Sequence, residues 1–227
     1  MRRSISGSST VHARITRPHG LEERMISRRH FIAAAGVVLG LSTPARAALV
    51  CQDFPGFRRC SVGVAVGVGT ARQECAEWCW AACVEAVFRF HGHPVAQHRI
   101  VEKVFNSGIC RAAIGPQIVE AIDGTWTDDR DNDFDAECEV LWDSQFQFGR
   151  PDAVVQAARE LEAGNPLILG AMGHATLLTA MTYSGNGILV QLNELIVRDP
   201  WPGNPNRRAL TLVEAMNTQF LAKVAIG

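Results

Sequence analysis

The sequence predicts an α+β fold. Two observations carry this: apolar stripes at helix spacing dominate from Cys79 to Gly164, whereas runs rich in Val, Ile, Leu and Thr, bounded by Gly, Asn and Pro, follow from Pro166. A third adds the strand direction, because the turn Ser184-Gly185-Asn186-Gly187 joins two of those runs as a hairpin. Helices first and an antiparallel sheet second is an α+β arrangement.

The elements follow in order. Residues 48–72 are Gly- and Val-rich without a clear period and read as an extended N-terminal arm. Helical patterning begins at Cys79, with apolar residues at 80, 83, 84, 87 and 88 on one face and His91-Gly92 as the stop. A second helix is expected from Pro94 to about Asn106, striped by Ile100, Val101, Val104 and Phe105, and a shorter one from Ile114 to Ile122. After Asp123 the run TDDRDNDFDAE reads as an irregular acidic loop. Its spaced carboxylates do not make an EF-hand, since Phe134 stands where that loop needs Gly and Val140 where it needs Glu. His91 and His93 beside the helix stop read as exposed side chains, and no metal site is expected. Pro151 to Gly164 forms a further helix with a Gly stop. Three strand runs follow, PLILGAMG, HATLLTAMTYS and GILVQLNELIVRDPW, then a short helix near Leu212 to Met216 and a last strand from Phe220 to Ile226.

The N-terminal stretch stands apart. SRRHFIAAAGVVLGLSTPARA, residues 27–47, has paired Arg28 and Arg29, an apolar run from Phe31 to Leu41 and a small-x-small ending, the layout of a twin-arginine export signal. Eleven residues of apolar run are too few to span a bilayer, which takes about 20. Residues 1–24 are expected to be an extension, residues 25–47 the signal, and residues 48–227 a single domain that is periplasmic or secreted, with no stable membrane span once the signal is removed. A lipid attachment at Cys51 is disfavoured by Val50 immediately before it. From residue 48 onward 14 Lys and Arg face 21 Asp and Glu, a net charge of −7, which argues against nucleic acid or an anionic membrane as a partner.

Seven cysteines, at 51, 60, 75, 79, 83, 110 and 138, leave one over if six pair in an oxidising compartment. The block QECAEWCWAACVEAVFRF, residues 73–90, holds three of them. Cys79 lies at the first turn of its helix, where free N–H groups and the helix dipole favour a thiolate, and so is the one expected to stay free. The other six are disulfide candidates. Cys83 with Cys110 and Cys51 with Cys60 are the favoured pairs among fifteen possible connectivities.

A thiolate nucleophile needs an imidazole. His91, His93 and His98 lie beyond the far end of a helix about 18 Å long, so His174, at the head of a strand after Gly173, is the candidate. Gly173 is read as leaving room for close approach. The imidazole needs an orienting partner, for which Asp199 is preferred over Asn193 on the same strand. Gln73, six residues before Cys79, could donate its side-chain amide to an oxyanion together with the Cys79 N–H.

Gln73, Cys79-Trp80, the helix behind them, Gly173-His174 and Asp199-Pro200-Trp201 resemble papain-like cysteine peptidases, and more narrowly the compact bacterial members with a Trp-Cys-Trp-Ala-Ala block, which include effector proteases and bacteriocin-leader peptidases. The resemblance covers most of residues 70–227. It implies a mainly helical lobe (residues 73–164) carrying Cys79, a mainly β lobe (165–227) carrying His174 and Asp199, a cleft between them, Gln73 at the oxyanion, Trp80 beside the nucleophile and Trp201 shielding the His–Asp bond. It also implies a peptide or protein substrate and no cofactor. Asp in place of papain's Asn departs from the pattern and matches transglutaminases as well, so an acyltransferase with the same triad is the first alternative. A disulfide-stapled binding module without activity is the second. The oligomeric state is not legible in the sequence.

Overall fold

A computed structural model describes residues 48–64, 67–69, 71–145, 148–149, 152–186 and 190–227. The expected extension and export signal, Pro151 and the hairpin residue Gly187 lie outside these.

In chain order the elements are β1 (Val50–Phe54), β2 (Phe57–Gly63), α1 (Cys79–Phe90), α2 (Gln97–Phe105), α3 (Gly115–Ile122), β3 (Gly124–Thr127), β4 (Asp133–Asp143), β5 (Phe148–Gly149), α4 (Ala153–Ala163), β6 (Leu167–Ala171), β7 (His174–Gly185), β8 (Val190–Arg198), β9 (Arg207–Ala209), α5 (Leu212–Met216) and β10 (Thr218–Ile226). The fold is mixed α+β, built on one large antiparallel sheet. Its main path runs β1-β2-β7-β6-β10-β4-β3, with β8 also on β7, β9 on β8 and β5 on β4. β7 is long enough to pair twice along one edge, its first half with β6 and its second with β2, while β8 runs along the other edge.

Both faces of this sheet are covered, and strand alternation decides which residue serves which face. Ile168, Leu177, Ala222 and Val224 join one core with α1, α2 and α3, whereas Leu167, Leu169, Leu178 and Val197 join a second core with Ala157, Ala158 and Leu161 of α4. α1 is buried from Cys79 to Phe88 on every side, as a helix apolar all round must be. Its one acidic residue, Glu85, is bonded to Arg89 and to Gln97 Nε2, the latter at 2.7 Å.

Several expectations need correction. The N-terminal arm is a hairpin, β1–β2, closed by the Cys51–Cys60 disulfide between directly paired residues and joined to β7. α2 starts at Gln97 rather than Pro94, because Ala96 is extended (ψ 146°) and the carbonyl of Pro94 is engaged by Asp129 N–H at 2.8 Å. The acidic loop is the β3–β4 hairpin. Phe134 and Ala136 point into the core while Asp133, Asp135 and Glu137 face outward, and buried Asp128 holds the turn by accepting from the N–H groups of Arg130 and Asn132. His91 and His93 are half-buried, His93 stacked on Phe134 at 4.3 Å between centroids.

The cysteine pairing also differs. Cys110 is bonded to Cys75, not Cys83, and Cys79, Cys83 and Cys138 are all free, so six of seven do not pair. Cys83 lies in the core one turn after Cys79, whereas Cys110 is exposed. Two disulfides fit an oxidising environment. Among the described residues no helix is long and apolar enough to cross a membrane.

Candidate active site

Cys79 is the first residue of α1. Its preceding residue Trp78 offers no side-chain cap, and the first intrahelical bond is Ala82 N–H to the Trp78 carbonyl at 2.9 Å. The N–H groups of Cys79 and Trp80 therefore precede the ladder and point out of the helix start. Across from them β7 begins. Met172 (φ 53°) and Gly173 (φ 77°) form a two-residue turn between the paired residues Ala171 and His174, both central residues left-handed as a type I′ hairpin requires. Gly173 thus serves the turn by its backbone. A Cβ there would meet nothing within 4 Å in the fold itself, and the residue lines the open cleft beside His174.

β8 ends where β7 begins. Arg198 pairs with Leu177, which brings Asp199 beside His174 although 25 residues separate them. Asp199 has no solvent exposure, and both its oxygens are engaged. Oδ1 bonds His174 Nε2 at 2.8 Å and accepts from Trp201 N–H at 2.9 Å; Oδ2 accepts from Asn204 Nδ2 at 2.9 Å and Arg208 Nε at 2.7 Å. Asn193, the other candidate for this position, accepts from Ser184 Oγ at the opposite end of the hairpin.

The electrostatics follow from these contacts. Burial works to raise the Asp199 carboxyl, but bonds from His174, the Trp201 N–H, Arg208 and Asn204 hold it well below the usual carboxylate range. For His174, burial works to lower the imidazole; hydrogen bonds with Asp199 and Cys79, and their charges, prevail and lift it to about 9. The imidazole is therefore protonated at neutral pH, between a carboxylate on Nε2 and the thiol on its other edge. The Ala175 N–H also points at Cys79 Sγ, at 3.4 Å. Cys83, one turn along, is pushed well above the ordinary thiol value by burial and by the negative fields of Cys79 and Asp199.

Cys79, Trp80 and His174 line one cleft of about 520 Å³, with Gly115, Asp143 and Phe220 on its walls. The two tryptophans hold one wall. Trp78 Nε1 donates to the carbonyl of Ile109 at 2.9 Å, Trp80 Nε1 to that of Arg111 at 3.1 Å, and between them Cys110 is bonded to Cys75. Trp201 folds back over Gly203, where a Cβ would come within 2.9 Å of its indole nitrogen, and lines a hollow with His174 and Arg208.

Gln73 reaches the start of α1, but not as a free donor. Its Nε2 donates to the carbonyls of Cys75 (2.9 Å) and Ala76 (2.8 Å), so both amide protons are engaged in the turn before the helix. Its backbone N–H bonds the Pro200 carbonyl at 3.2 Å, linking this turn to the Asp199 loop. Sequence reasoning missed Gln97, Asn204, Arg208 and Glu214. Buried Gln97 bonds Arg72, Glu74 and Glu85 and so fixes the turn to α1, yet it reads as an ordinary polar residue at a helix start. No cluster of three or more His, Cys, Asp or Glu side chains suited to a metal ion occurs among the described residues.

Comparison with solved structures finds likenesses at the level of the fold. This chain is similar to two peptidase domains. One is the peptidase domain of Streptococcus ComA, a bi-functional ABC transporter involved in a quorum sensing pathway, with 15% identity and a TM-score of 0.42 over 71% of this chain and 98% of that one. The other is a double glycine motif protease from an AMS/PCAT transporter in complex with the leader peptide, with 13% identity and a TM-score of 0.40 over 72% of this chain and 93% of that one. No family model and no curated protein sequence matches the chain.

Proposed function

We propose that this chain is an exported cysteine peptidase acting through Cys79, His174 and Asp199. The observation that carries the reading is the junction of α1, β7 and β8: a free thiol at a helix start, an imidazole beside it, and a buried carboxylate on the far ring nitrogen, opening on one cleft. The Cys79 thiolate attacks the carbonyl carbon of a peptide bond, and the oxyanion is met by the Cys79 backbone N–H. The imidazolium gives its proton to the leaving amine as the C–N bond breaks, leaving a thioester on Sγ. A water then attacks this thioester, His174 takes one of its protons, and the C–S bond breaks to restore the thiolate–imidazolium pair as the acid product leaves and gives its remaining proton to solvent. Asp199 keeps Nε2 fixed through both proton transfers.

Gln73, with its amide engaged by two carbonyls, is assigned to bracing the turn that delivers the Cys79 N–H. Trp80 fixes the wall against which a peptide would lie, and Trp201 covers the His–Asp pair. The twin-arginine pattern before residue 48 and the two disulfides support export.

The test is covalent trapping. An epoxide peptidase probe should label the protein at a single site, and Cys79→Ala should abolish this. Peptide mixtures should then yield cleaved products in water. Incorporation of an added amine in place of hydrolysis would move the assignment to an acyltransferase, and no labelling of folded protein would leave a binding module.

A further inference from the structure

Arg208 is among the residues the sequence did not single out. It lies on β9, opposite Val197 of β8, and Asp199 is two residues beyond Val197 on the same face, so the register alone delivers the guanidinium to the carboxylate. Its planar fork then joins two acids. Nε donates to Asp199 Oδ2 at 2.7 Å, while Nη1 and Nη2 donate to Glu214 Oε2 and Oε1 at 3.0 and 2.7 Å. Glu214 is itself fixed, accepting from the N–H and Oγ of Thr211 in the capping box of α5.

Resting on the thiol–imidazole chemistry proposed above, we propose that Arg208, anchored by Glu214, is a positioning residue. It fixes the Asp199 carboxylate with Oδ1 toward His174, and its charge offsets that of the carboxylate seen by the imidazole. Four bonds divided between two oxygens leave the carboxylate no freedom to rotate. Shared between two carboxylates, the guanidinium offsets the Asp199 charge only in part, so the imidazole still faces a net negative acceptor. The other ionisable groups facing this pair are His174 from β7, Cys79 and Cys83 from α1, Glu214 from α5 and Arg72, whose Nη1 donates to the Trp201 carbonyl at 2.7 Å.

The two anchors should shift the imidazole in opposite senses, which a purely structural role would not do. The measurement is the rate of Cys79 alkylation by iodoacetamide against pH, with the His174 ring followed by NMR in the same samples. In the unsubstituted protein the upper limb is expected near pH 9. Arg208→Gln, which leaves Asp199 uncompensated, should move it up by about one pH unit. Glu214→Gln, which leaves Arg208 more positive, should move it down. Arg208→Lys, which keeps the charge without the fork, should leave the limb near its place but lower the rate at pH 7 several-fold. If Arg208→Gln does not fold, Glu214→Gln carries the test, and a limb that stays or moves up overturns the inference. A limb absent from the unsubstituted protein would instead defeat the thiol–imidazole reading itself.

Discussion

Cys110 is bonded to Cys75, four residues before Cys79, with 5.9 Å between their Cα atoms. Together with the indole bonds of Trp78 and Trp80, this ties residues 109–111, beside the cleft wall, to the start of the helix that carries the thiol. The proposed chemistry thus needs one thiol reduced and, four residues before it, one disulfide oxidised. Replacing Cys75 and Cys110 together by alanine should lower the unfolding free energy by about 3–4 kcal/mol, from the closed loop of 35 residues, as measured by urea denaturation. With a peptide substrate, KM should rise more than kcat falls. A strong dithiol reductant should reproduce this loss in the unsubstituted protein, and activity unaffected by such treatment would remove the wall from the argument.

His174 links stability to pH in a definite direction. Its imidazole is raised from the ordinary 6.5 to about 9, so its contribution is complete below 6.5 and disappears as pH rises through about 9. Asp199 works in the opposite sense, contributing above its ordinary value of 3.8 and losing this only as pH falls through its lowered value. Urea denaturation at pH 6 and at pH 10 should therefore differ in the unsubstituted protein, and His174→Ala should remove much of that difference. Peptide cleavage should fall over the same upper range, because the leaving amine needs the imidazolium proton.

The turn before His174 offers a paired test. Gly173 has φ 77° in open space, so Gly173→Ala meets no clash but should cost about 1–2 kcal/mol of backbone strain. A turn that relaxes would also displace His174, lowering kcat by up to about 100-fold. Met172 is already a non-glycine residue at φ 53°, and Met172→Asn should stabilise by up to about 1 kcal/mol, since Asn tolerates this region better. Thermal unfolding of the two variants should show opposite signs.

These contacts mark where the sequence was legible. α1, α3, α4 and α5 could be read because their stops and apolar spacing are local, as could the meeting of His174 and Asp199, which needs only a hairpin between them. The β3–β4 hairpin was missed although its signal was present: carboxylates at every second position from Asp129 to Glu137 are the outward half of a strand alternation whose inward half is Phe134 and Ala136. The Cys75–Cys110 pairing joins two irregular segments 35 residues apart, and the Arg208 fork, although its partners are only nine residues before it and six after it, depends on the turn that follows β8; neither leaves a mark in the apolar pattern. Arg208, next to Arg207 in a polar stretch, reads as a surface charge.

Cysteine parity shows a related limit, because counting thiols cannot tell a buried one from a paired one. Cys79, Cys83 and Cys138 are all free, but only Cys79 opens on the cleft. Burial pushes Cys83 far up and Cys138 to about 12, the latter aided by the charge of Asp123. Iodoacetamide at pH 7 followed by peptide mapping should therefore find one fast thiol, Cys79, with the others modified only on unfolding. Cys83→Ala should keep cleavage activity and cost on the order of 1 kcal/mol for the small core cavity.

Gln73 separates two accounts of the oxyanion. If its amide donated to the intermediate, its removal should cost the 10²- to 10³-fold in kcat typical of such a donor. With both protons on the Cys75 and Ala76 carbonyls, Gln73→Ala should instead loosen the turn, lowering thermal stability and reducing kcat by about tenfold or less. Gln73→Glu should be worse than alanine, since a carboxylate facing two carbonyl oxygens reverses both bonds. A 10³-fold loss in a fully folded Gln73→Ala variant would mean that the amide turns toward the cleft during catalysis, and would return Gln73 to the donor role the sequence first suggested.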